Sequence, residues 1–295
     1  MQIEFNKTTG KWEAIDESGK VLFASSSKYY VKQKMGKVPT KFVESVKKSD
    51  FTINERFDFV GKIVKMVASK TTASAIISGS GGMGKTFSVL SALKDAGMKD
   101  ITDLASFEVG EGIDAKRSFR VLKGYTTAKG LFRTLQECKN LTLVLDDFDS
   151  ALKDPVSLNL LKAALDGYSK RYITWNSDFK DDDLDRTFEF KGSIVFITNI
   201  PSEKIDQAVR SRCLTVDVSM NQEEMLERMA AIIESDSFLP EISTEHKRTA
   251  LEFIGENVKS VVNLSLRTLI QIAKVVDADP TGYKNLSRYL LTQGN

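Results

Sequence analysis

The residues best suited to chemistry form one glycine-rich stretch, GSGGMGKT, at positions 79–86. Its G-x-x-x-x-G-K-[ST] spacing follows an apolar segment at residues 75–78 and precedes a helix-like segment at residues 87–93, which predicts a strand, a loop and a helix. Glycines let backbone N–H groups turn inward on an anion, and a helix that follows adds the positive end of its dipole. The stretch is therefore predicted to cradle phosphate groups.

Two side chains of this stretch extend the prediction to a nucleotide and its metal ion. Lys85 is expected to reach the β- and γ-phosphates, and Thr86 is expected to offer its hydroxyl to Mg²⁺. A glycine-rich turn without function is the alternative, but further parts of a nucleotide site follow downstream in order. The predicted contacts to the nucleotide come from Gly79, Ser80, Gly81, Gly82, Met83, Gly84, Lys85, Thr86 and Phe87.

A second group of acidic residues follows the buried-strand pattern at residues 141–145. Carboxylates at the carboxyl end of a central strand can hold Mg²⁺ and polarise an attacking water. We assign Asp146 to the metal and Asp147 to the water. Asp149 is predicted to be the N-cap of the next helix.

Polar residues also end the strand pattern at residues 194–197, where Thr198 and Asn199 follow. An Asn at a strand end is commonly a cap, but its order after the two aspartates favours a functional role. Farther along, Arg210 and Arg212 precede a last strand at residues 214–218. They are predicted to reach a γ-phosphate on a neighbouring subunit, with local salt bridges as the alternative.

The chain divides into three predicted parts: residues 1–50, 51–220 and 221–295. The first part shows three short strands at residues 3–5, 11–15 and 21–24, a helix at 27–35 and a connector with seven lysines and one acid at 28–48. That connector is interpreted as a phosphate-backbone contact or as a solvated linker. The last part is predicted to be a small helical domain that carries Arg267.

Composition limits the other possibilities. The chain has 295 residues, with 42 Lys+Arg against 40 Asp+Glu, so its overall charge does not indicate nucleic-acid binding. Two cysteines and a single histidine argue against a disulfide framework, a zinc site and His-dependent hydrolysis. No long apolar segment or signal peptide is recognised, which predicts no membrane association and a cytoplasmic protein.

With these residues in place, the chain resembles an AAA+ ATPase over roughly residues 51–292. The matching motifs are GSGGMGKT as Walker A, LTLVLDD as Walker B, ITN as sensor 1, SRC as the arginine-finger box and LSLRTL as the sensor 2 helix. The resemblance implies an α/β fold with a central, mainly parallel five-stranded sheet, a C-terminal helical lid and a small N-terminal β-rich module. It also implies ATP and Mg²⁺ as cofactors.

The same resemblance suggests roles for single residues. Asn199 matches the residue that positions the water, and Arg267 matches the sensor 2 arginine. Arg212 matches the finger that reaches the adjacent protomer's ATP, and Arg210 assists it or pairs locally. Lys85, Asp147, Asn199, Arg212 and Arg267 are thus the predicted catalytic residues.

The chain departs from the general AAA+ pattern at Walker B, and two further features resemble those of other members. Most members have Asp-Glu at Walker B, whereas Asp146-Asp147 resembles the initiator and helicase-loader branch and predicts slow or partner-stimulated hydrolysis. Strands at residues 171–175 and 187–190 predict a hairpin with an acidic tip that resembles the pre-sensor 1 insertion, which often grips DNA. That acidity is poorly suited to a phosphate backbone. Tyr125 falls where many members carry a pore-loop aromatic, with a core tyrosine as the alternative.

These features predict an ATP-dependent motor or switch that assembles as a homo-oligomeric ring or spiral, a hexamer, and acts on DNA in replication, recombination, helicase loading or packaging. A protein partner that stimulates hydrolysis is also expected. The motif style resembles viral and mobile-element proteins, which predicts the cytoplasm of a bacterium or of a virus-infected host. Two alternatives stay open: a protein remodeller, and a scaffold that uses ATP only to assemble.

Overall fold

The computed structural model describes residues 2–6, 11–15, 21–25, 49–104, 114–167, 170–176 and 185–293. Its backbone divides into two compact units, residues 1–48 and residues 49–295. Three predicted features lie outside the described residues: the helix at 27–35, the lysine-rich connector at 28–48 and the acidic part of the hairpin at 177–184. The division of the chain at residues 50 and 220 stays a prediction.

The smaller unit contains the three strands predicted for it. They are β1 Gln2–Asn6, β2 Lys11–Ile15 and β3 Val21–Ser25. The strands form an antiparallel sheet in the order β1-β2-β3, with Gln2 opposite Ile15 and Trp12 opposite Ser25. The register of β2 against β3 shifts between Ala14 and Ile15, which marks a bulge.

Eight further strands belong to the larger unit. They are β4 Ser74–Ser78, β5 Lys99–Asp100, β6 Ser118–Lys123, β7 Thr142–Asp146, β8 Tyr172–Thr174, β9 Thr187–Glu189, β10 Ser193–Thr198 and β11 Leu214–Asp217. Six of them form one parallel sheet in the order β11-β4-β10-β7-β6-β5. The five predicted strands are all present, and the two-residue β5 adds an edge that the sequence pattern did not indicate.

The parallel arrangement decides where the functional residues meet. Every residue of β4, β7 and β10 is buried, as expected for strands with helices on both faces of the sheet. Because β10 lies between β4 and β7 and all three strands are parallel, the residues that follow them lie side by side at the carboxyl ends of the strands.

The described residues of the larger unit form ten α-helices, among them the helix predicted after the glycine-rich loop and those of the predicted C-terminal helical domain. They are α1 Ile53–Ala68, α2 Lys85–Asp95, α3 Ala128–Glu137, α4 Asp149–Lys153, α5 Pro155–Ala164, α6 Gln207–Arg210, α7 Gln222–Ile233, α8 Thr244–Glu256, α9 Leu266–Ala278 and α10 Tyr283–Gln293. Thr127 caps α3, accepting a hydrogen bond from the Gly130 N–H. None of the helices described is long and apolar enough to cross a bilayer.

Alternating residues of the central strands divide the interior into two hydrophobic cores. Ile77, Val144 and Val195 pack on one face with α1, α2 and the C-terminal helices, while Leu143 and Phe196 pack on the other face with α3 and α5. The C-terminal helices add Met225, Leu266 and Leu269 to the first core. The lid is therefore joined to the sheet by shared packing.

The predicted hairpin is present at its base. Strands β8 and β9 are antiparallel, with Ile173 opposite Phe188. Both side chains are buried, and the Phe188 ring packs on Phe132 of α3 with ring centroids 5.3 Å apart. The hairpin is thus anchored to the second core.

Candidate functional site

The glycine-rich loop connects the last residue of β4 to the first turn of α2. Gly79, Gly82 and Gly84 have φ of 145°, 74° and 86°, a region that favours glycine. Space adds a second requirement, because a Cβ on Gly84 would lie 3.0 Å from Cδ1 of Leu266 and one on Gly82 would lie 3.0 Å from Cβ of Ser265. The loop therefore fits closely against the start of α9.

Lys85 is the cation at the centre of this loop. Its Nζ donates to the carbonyl oxygens of Gly79 at 2.6 Å and Ser80 at 2.8 Å, and to Oδ1 of Asn199 at 2.9 Å. Burial lowers the pKa of Lys85 to about 8, although the nearby carboxylates, led by Asp147, oppose that shift. The ammonium is thus held in place by neutral oxygen atoms, where an anion would stabilise its charge.

Thr86 and Asp146 form the next part of the site. The Thr86 hydroxyl lies 3.1 Å from both carboxylate oxygens of Asp146, and Nζ of Lys123 lies 3.3 Å from Oδ2. A hydroxyl and a carboxylate are the oxygen ligands that suit Mg²⁺ beside a phosphate. The two residues assigned to the metal therefore lie together.

Asp147 and Asn199 meet although 52 residues separate them along the chain. The Asn199 amide donates from Nδ2 to Oδ1 of Asp147 at 2.8 Å, and the Asp147 N–H donates to the Ile197 carbonyl at 3.0 Å. Through its other amide atom Asn199 also contacts Lys85. One amide therefore links the loop lysine to the carboxylate assigned to water.

The backbone at Asp147 has φ of 55°, in the left-handed region. Asp and Asn enter this region several-fold more readily than most residues. The conformation gives a physical reason for an aspartate at this position in preference to a glutamate.

The prediction that Asp149 is a helix N-cap is wrong. Asp149 is the first residue of α4, the N-cap position belongs to Phe148, and no side chain caps this helix. The Asp149 carboxylate instead accepts a hydrogen bond from the Thr198 hydroxyl at 2.5 Å. This contact joins the end of β10 to the segment after β7, and so links the two strand ends that carry Asp146, Asp147 and Asn199.

A cavity of about 580 Å³ opens between the loop and the C-terminal helices. Arg267, in the first turn of α9, lines it together with Lys85, Asp146, Asp147 and Asn199. The Leu266 N–H donates to the Gly82 carbonyl at 2.9 Å, which fixes the start of α9 against the loop. Phe87 also lines the cavity and is 60% exposed.

The far wall of this cavity consists of residues that sequence reasoning missed. The Arg228 guanidinium stands 4.0 Å from the centroid of the Phe57 ring and donates to Oδ1 of Asn54 at 3.0 Å. Burial lowers the pKa of Arg228. The helical spacing of Arg228, Ala231 and Ile232 on α7 was the available signal. The other wall residues are Ser235, Ser237, Phe238, Leu239, Leu266 and Ile270.

Arg212 is not brought into this cavity. Its carbonyl accepts from the Ser74 hydroxyl at 2.9 Å, at the start of β4, whereas the glycine-rich loop follows the end of β4. A five-residue strand separates the two points by roughly 13 Å. The Arg212 side chain is exposed, and within the described part of the chain its guanidinium has only the Ala208 carbonyl, at 2.7 Å, as a partner.

Arg210 and Tyr125 also lie outside the cavity lining. Arg210 is partly buried and donates to the Ser202 carbonyl at 3.1 Å, so its partner is a backbone oxygen and not a carboxylate. Tyr125 is 79% exposed in the loop between β6 and α3, and the interpretation as a core tyrosine is wrong.

The parallel sheet, the glycine-rich loop and the helical lid define a P-loop α/β protein, which confirms the predicted fold class. The chain belongs to the family of an uncharacterized 36.7 kDa protein in the nrdC-mobD intergenic region of Enterobacteria phage T4. The two are 31% identical over 267 residues, and the match covers 83% of this chain and 77% of the phage protein. No family model matches the chain.

A solved structure of a mutant RuvB from Thermotoga maritima is also similar. The TM-score is 0.45 and the identity is 12%, and the match covers 78% of this chain and 63% of the RuvB chain. This chain therefore spans less than two thirds of that protein's length.

Proposed function

We propose that this protein is an AAA+ ATPase that binds ATP between the P-loop and the helical lid, hydrolyses it in a homo-oligomeric ring or spiral, and acts on DNA. The observation that carries the proposal is the convergence of Lys85, Thr86, Asp146, Asp147 and Asn199 on one cavity closed by the lid. Backbone N–H groups of the loop and the Lys85 ammonium would bind the phosphates.

The residues around the cavity divide the remaining chemistry. Thr86 and Asp146 would hold Mg²⁺, which supplies charge neutralisation to the phosphates when it is bound. Asp147 would accept a proton from the attacking water, and Asn199 would orient that carboxylate through their hydrogen bond. Arg267 would place a positive charge from the lid beside the terminal phosphate.

The position of Arg212 supports an assembly with composite sites. The Arg212 backbone lies at the amino end of β4, whereas the P-loop follows the carboxyl end of that strand. The Arg212 side chain is therefore too far from a phosphate bound in its own chain. An exposed guanidinium whose protein partner is a backbone carbonyl remains available for a neighbouring subunit's γ-phosphate. A hexameric ring and a cytoplasmic location belong to the same proposal.

DNA is expected to raise the ATPase rate, and this is the experiment that tests the proposed function. The rate is measured against DNA concentration at two salt concentrations, because contacts to the phosphate backbone weaken steeply with salt. Tyr125→Ala is expected to lose most of the stimulation while keeping the basal rate, since an exposed aromatic can stack on a base for about 1–3 kcal/mol. Tyr289→Ala, at an exposed tyrosine of α10, is the matched control. A rate that does not respond to DNA would remove DNA from the proposal.

Two other functions have support from particular observations. The exposed Tyr125 would also suit an unfolded polypeptide, so a protein remodeller is expected to respond to unfolded protein and not to DNA. The Asp147 side chain is short, and one of its carboxylate oxygens already accepts a hydrogen bond from the Asn199 amide. Both features would slow proton removal from the attacking water, which favours a scaffold that hydrolyses ATP slowly. Turnover assays with DNA, unfolded protein or neither separate the three.

Nucleotide affinity is expected to fall as the pH rises above 8. In the nucleotide-free protein Lys85 has a lowered pKa of about 8, so it is charged below that pH and neutral above it. A bound triphosphate favours the charged form and raises this pKa, so binding takes up a proton above pH 8. The dissociation constant should be flat between pH 7 and 7.5 and then rise, by up to about tenfold per pH unit.

The nucleotide does not contribute to that change, because a terminal phosphate with a pKa of about 6 is already ionised. Lys85→Arg is the control, since its guanidinium stays charged throughout the range and should give a flat profile. Equal affinities at pH 7 and pH 9.5 in the wild-type protein would contradict the assignment of Lys85 to the phosphates.

A further inference from the structure

The carboxylate assigned to Mg²⁺ already has a cationic partner, and that partner is not the P-loop lysine. Lys85 donates to two backbone carbonyls and to Asn199, whereas Nζ of Lys123 lies 3.3 Å from Oδ2 of Asp146. The Asp146 side chain is 7% exposed and the Lys123 side chain 64% exposed, so the lysine approaches from the solvent side.

Strand register explains why this pair forms. Lys123 is the last residue of β6 and lies directly beside Asp146, the last residue of β7, in a parallel pair. Neighbouring strands are about 4.8 Å apart, so side chains at paired positions on one face meet. The contact therefore follows from the central sheet itself and does not depend on a surface loop.

Lys123 and a divalent cation would compete for the same carboxylate. Asp146 accepts from the Thr86 hydroxyl on one side, and these are the two residues that fit Mg²⁺. An ammonium 3.3 Å from one of these oxygens offsets part of the negative charge of Asp146, and it would repel a second cation bound there. Mg²⁺ binding therefore requires the ammonium to move away or to share the carboxylate.

The segment after Lys123 allows such a movement. Gly124 has φ of 95°, and a Cβ added there would meet no atom within 4 Å. Tyr125, the next residue, is 79% exposed. The backbone of Lys123 is therefore fixed by β6 before it, while the chain that follows it is surrounded by open space.

We propose that Lys123 is a positioning residue that occupies the Asp146 carboxylate in the absence of Mg²⁺ and so sets the magnesium concentration at which nucleotide binds in its metal-bound form. This inference rests on the proposed nucleotide site. Lys123 acts through Asp146 and raises the amount of Mg²⁺ required, while the P-loop contacts to the phosphates are unchanged.

The test is nucleotide binding as a function of Mg²⁺ in the full-length chain. Binding of a fluorescent ADP analogue is measured at increasing Mg²⁺ concentration in the wild type, in Lys123→Gln and in Lys139→Gln. Lys139 is an exposed lysine that precedes β7 and so lies at the end of that strand opposite to Asp146. Lys123→Gln is expected to lower the half-saturating Mg²⁺ concentration about three- to fivefold, the range of a partly exposed ion pair. Lys123→Arg and Lys139→Gln should match the wild type, and Mg²⁺-free binding should be equal in all.

The outcomes separate this inference from the proposed function. A half-saturating Mg²⁺ concentration that is unchanged or higher in Lys123→Gln overturns the role of Lys123, and an increase would mean that the lysine supports nucleotide binding instead. Equal melting temperatures of the two glutamine variants show that folding is intact. If the wild type binds no nucleotide with or without Mg²⁺, the proposed function itself fails.

Discussion

Arg212→Ala is expected to leave nucleotide affinity unchanged and to lower the ATP hydrolysis rate by about 10³- to 10⁵-fold, the range found for arginine fingers in phosphoryl transfer. Arg212 lies outside the cavity of its own chain, beside the amino end of β4, whereas the P-loop follows the carboxyl end of that strand. In the proposed assembly its loss would remove a positive charge from the transition state in a neighbouring subunit and would leave the P-loop contacts to the phosphates intact. Equilibrium binding of a fluorescent nucleotide and steady-state turnover measure the two effects separately.

Mixing two inactive variants tests the trans arrangement directly. Lys85→Ala subunits are expected to lose phosphate binding and still present Arg212, whereas Arg212→Ala subunits are expected to bind nucleotide and lack the proposed finger. Mixed oligomers contain interfaces with both groups, so the mixture should regain activity that neither variant has alone. Arg210→Ala, which loses only a contact to the Ser202 carbonyl, is the matched control and should keep most of its turnover. Normal hydrolysis in Arg212→Ala alone would rule out the proposed finger.

Asp147→Asn is expected to lower the hydrolysis rate by about 10²- to 10⁴-fold, the usual contribution of a general base. Asparagine has the same size, tolerates the φ of 55° and keeps an oxygen that can accept from Asn199. Nucleotide affinity and melting temperature should therefore stay at their wild-type values. Single-turnover kinetics at saturating ATP isolate the chemical step. A variant with full activity would show that Asp147 does not activate the water.

Asp147→Glu provides the companion measurement. Glutamate reaches one methylene farther, so the rate per folded molecule should rise if the short carboxylate limits hydrolysis. It also enters the left-handed backbone region less readily than aspartate, and we expect a loss of stability of about 1 kcal/mol. A fall in rate as large as that of Asp147→Asn would show that reach is not limiting.

The residues of the candidate site could be predicted from the sequence, because the spacing of the glycine-rich loop and the ends of the parallel strands determine where they lie. The G-x-x-x-x-G-K-[ST] spacing fixes Lys85 and Thr86 at the first turn of a helix. Asp146, Asp147 and Asn199 each follow an apolar strand pattern, and parallel strands present their carboxyl ends at one edge. The structure places these five side chains together around one cavity.

Other contacts could not be predicted, since they depend on which strands become neighbours and in what register. The ion pair of Lys123 with Asp146 exists because β6 pairs with β7 residue for residue, and the contact of Thr198 with Asp149 joins segments 49 residues apart. Asp149 was predicted to be a cap because local sequence cannot show that a hydroxyl from another strand competes for its carboxylate.

The glycine-rich loop, the order of the polar groups that follow the strands and the helical C-terminal part could be predicted from the amino-acid sequence, because each depends on local spacing and periodicity. The arrangement of these parts as an α/β fold with a lid was implied by the resemblance of the motifs. The tertiary structure was needed to show that Arg228 reaches the cavity wall, that Tyr125 is exposed, and that Arg212 lies beside the amino end of β4. These placements depend on long-range packing and strand register, which local sequence patterns do not encode.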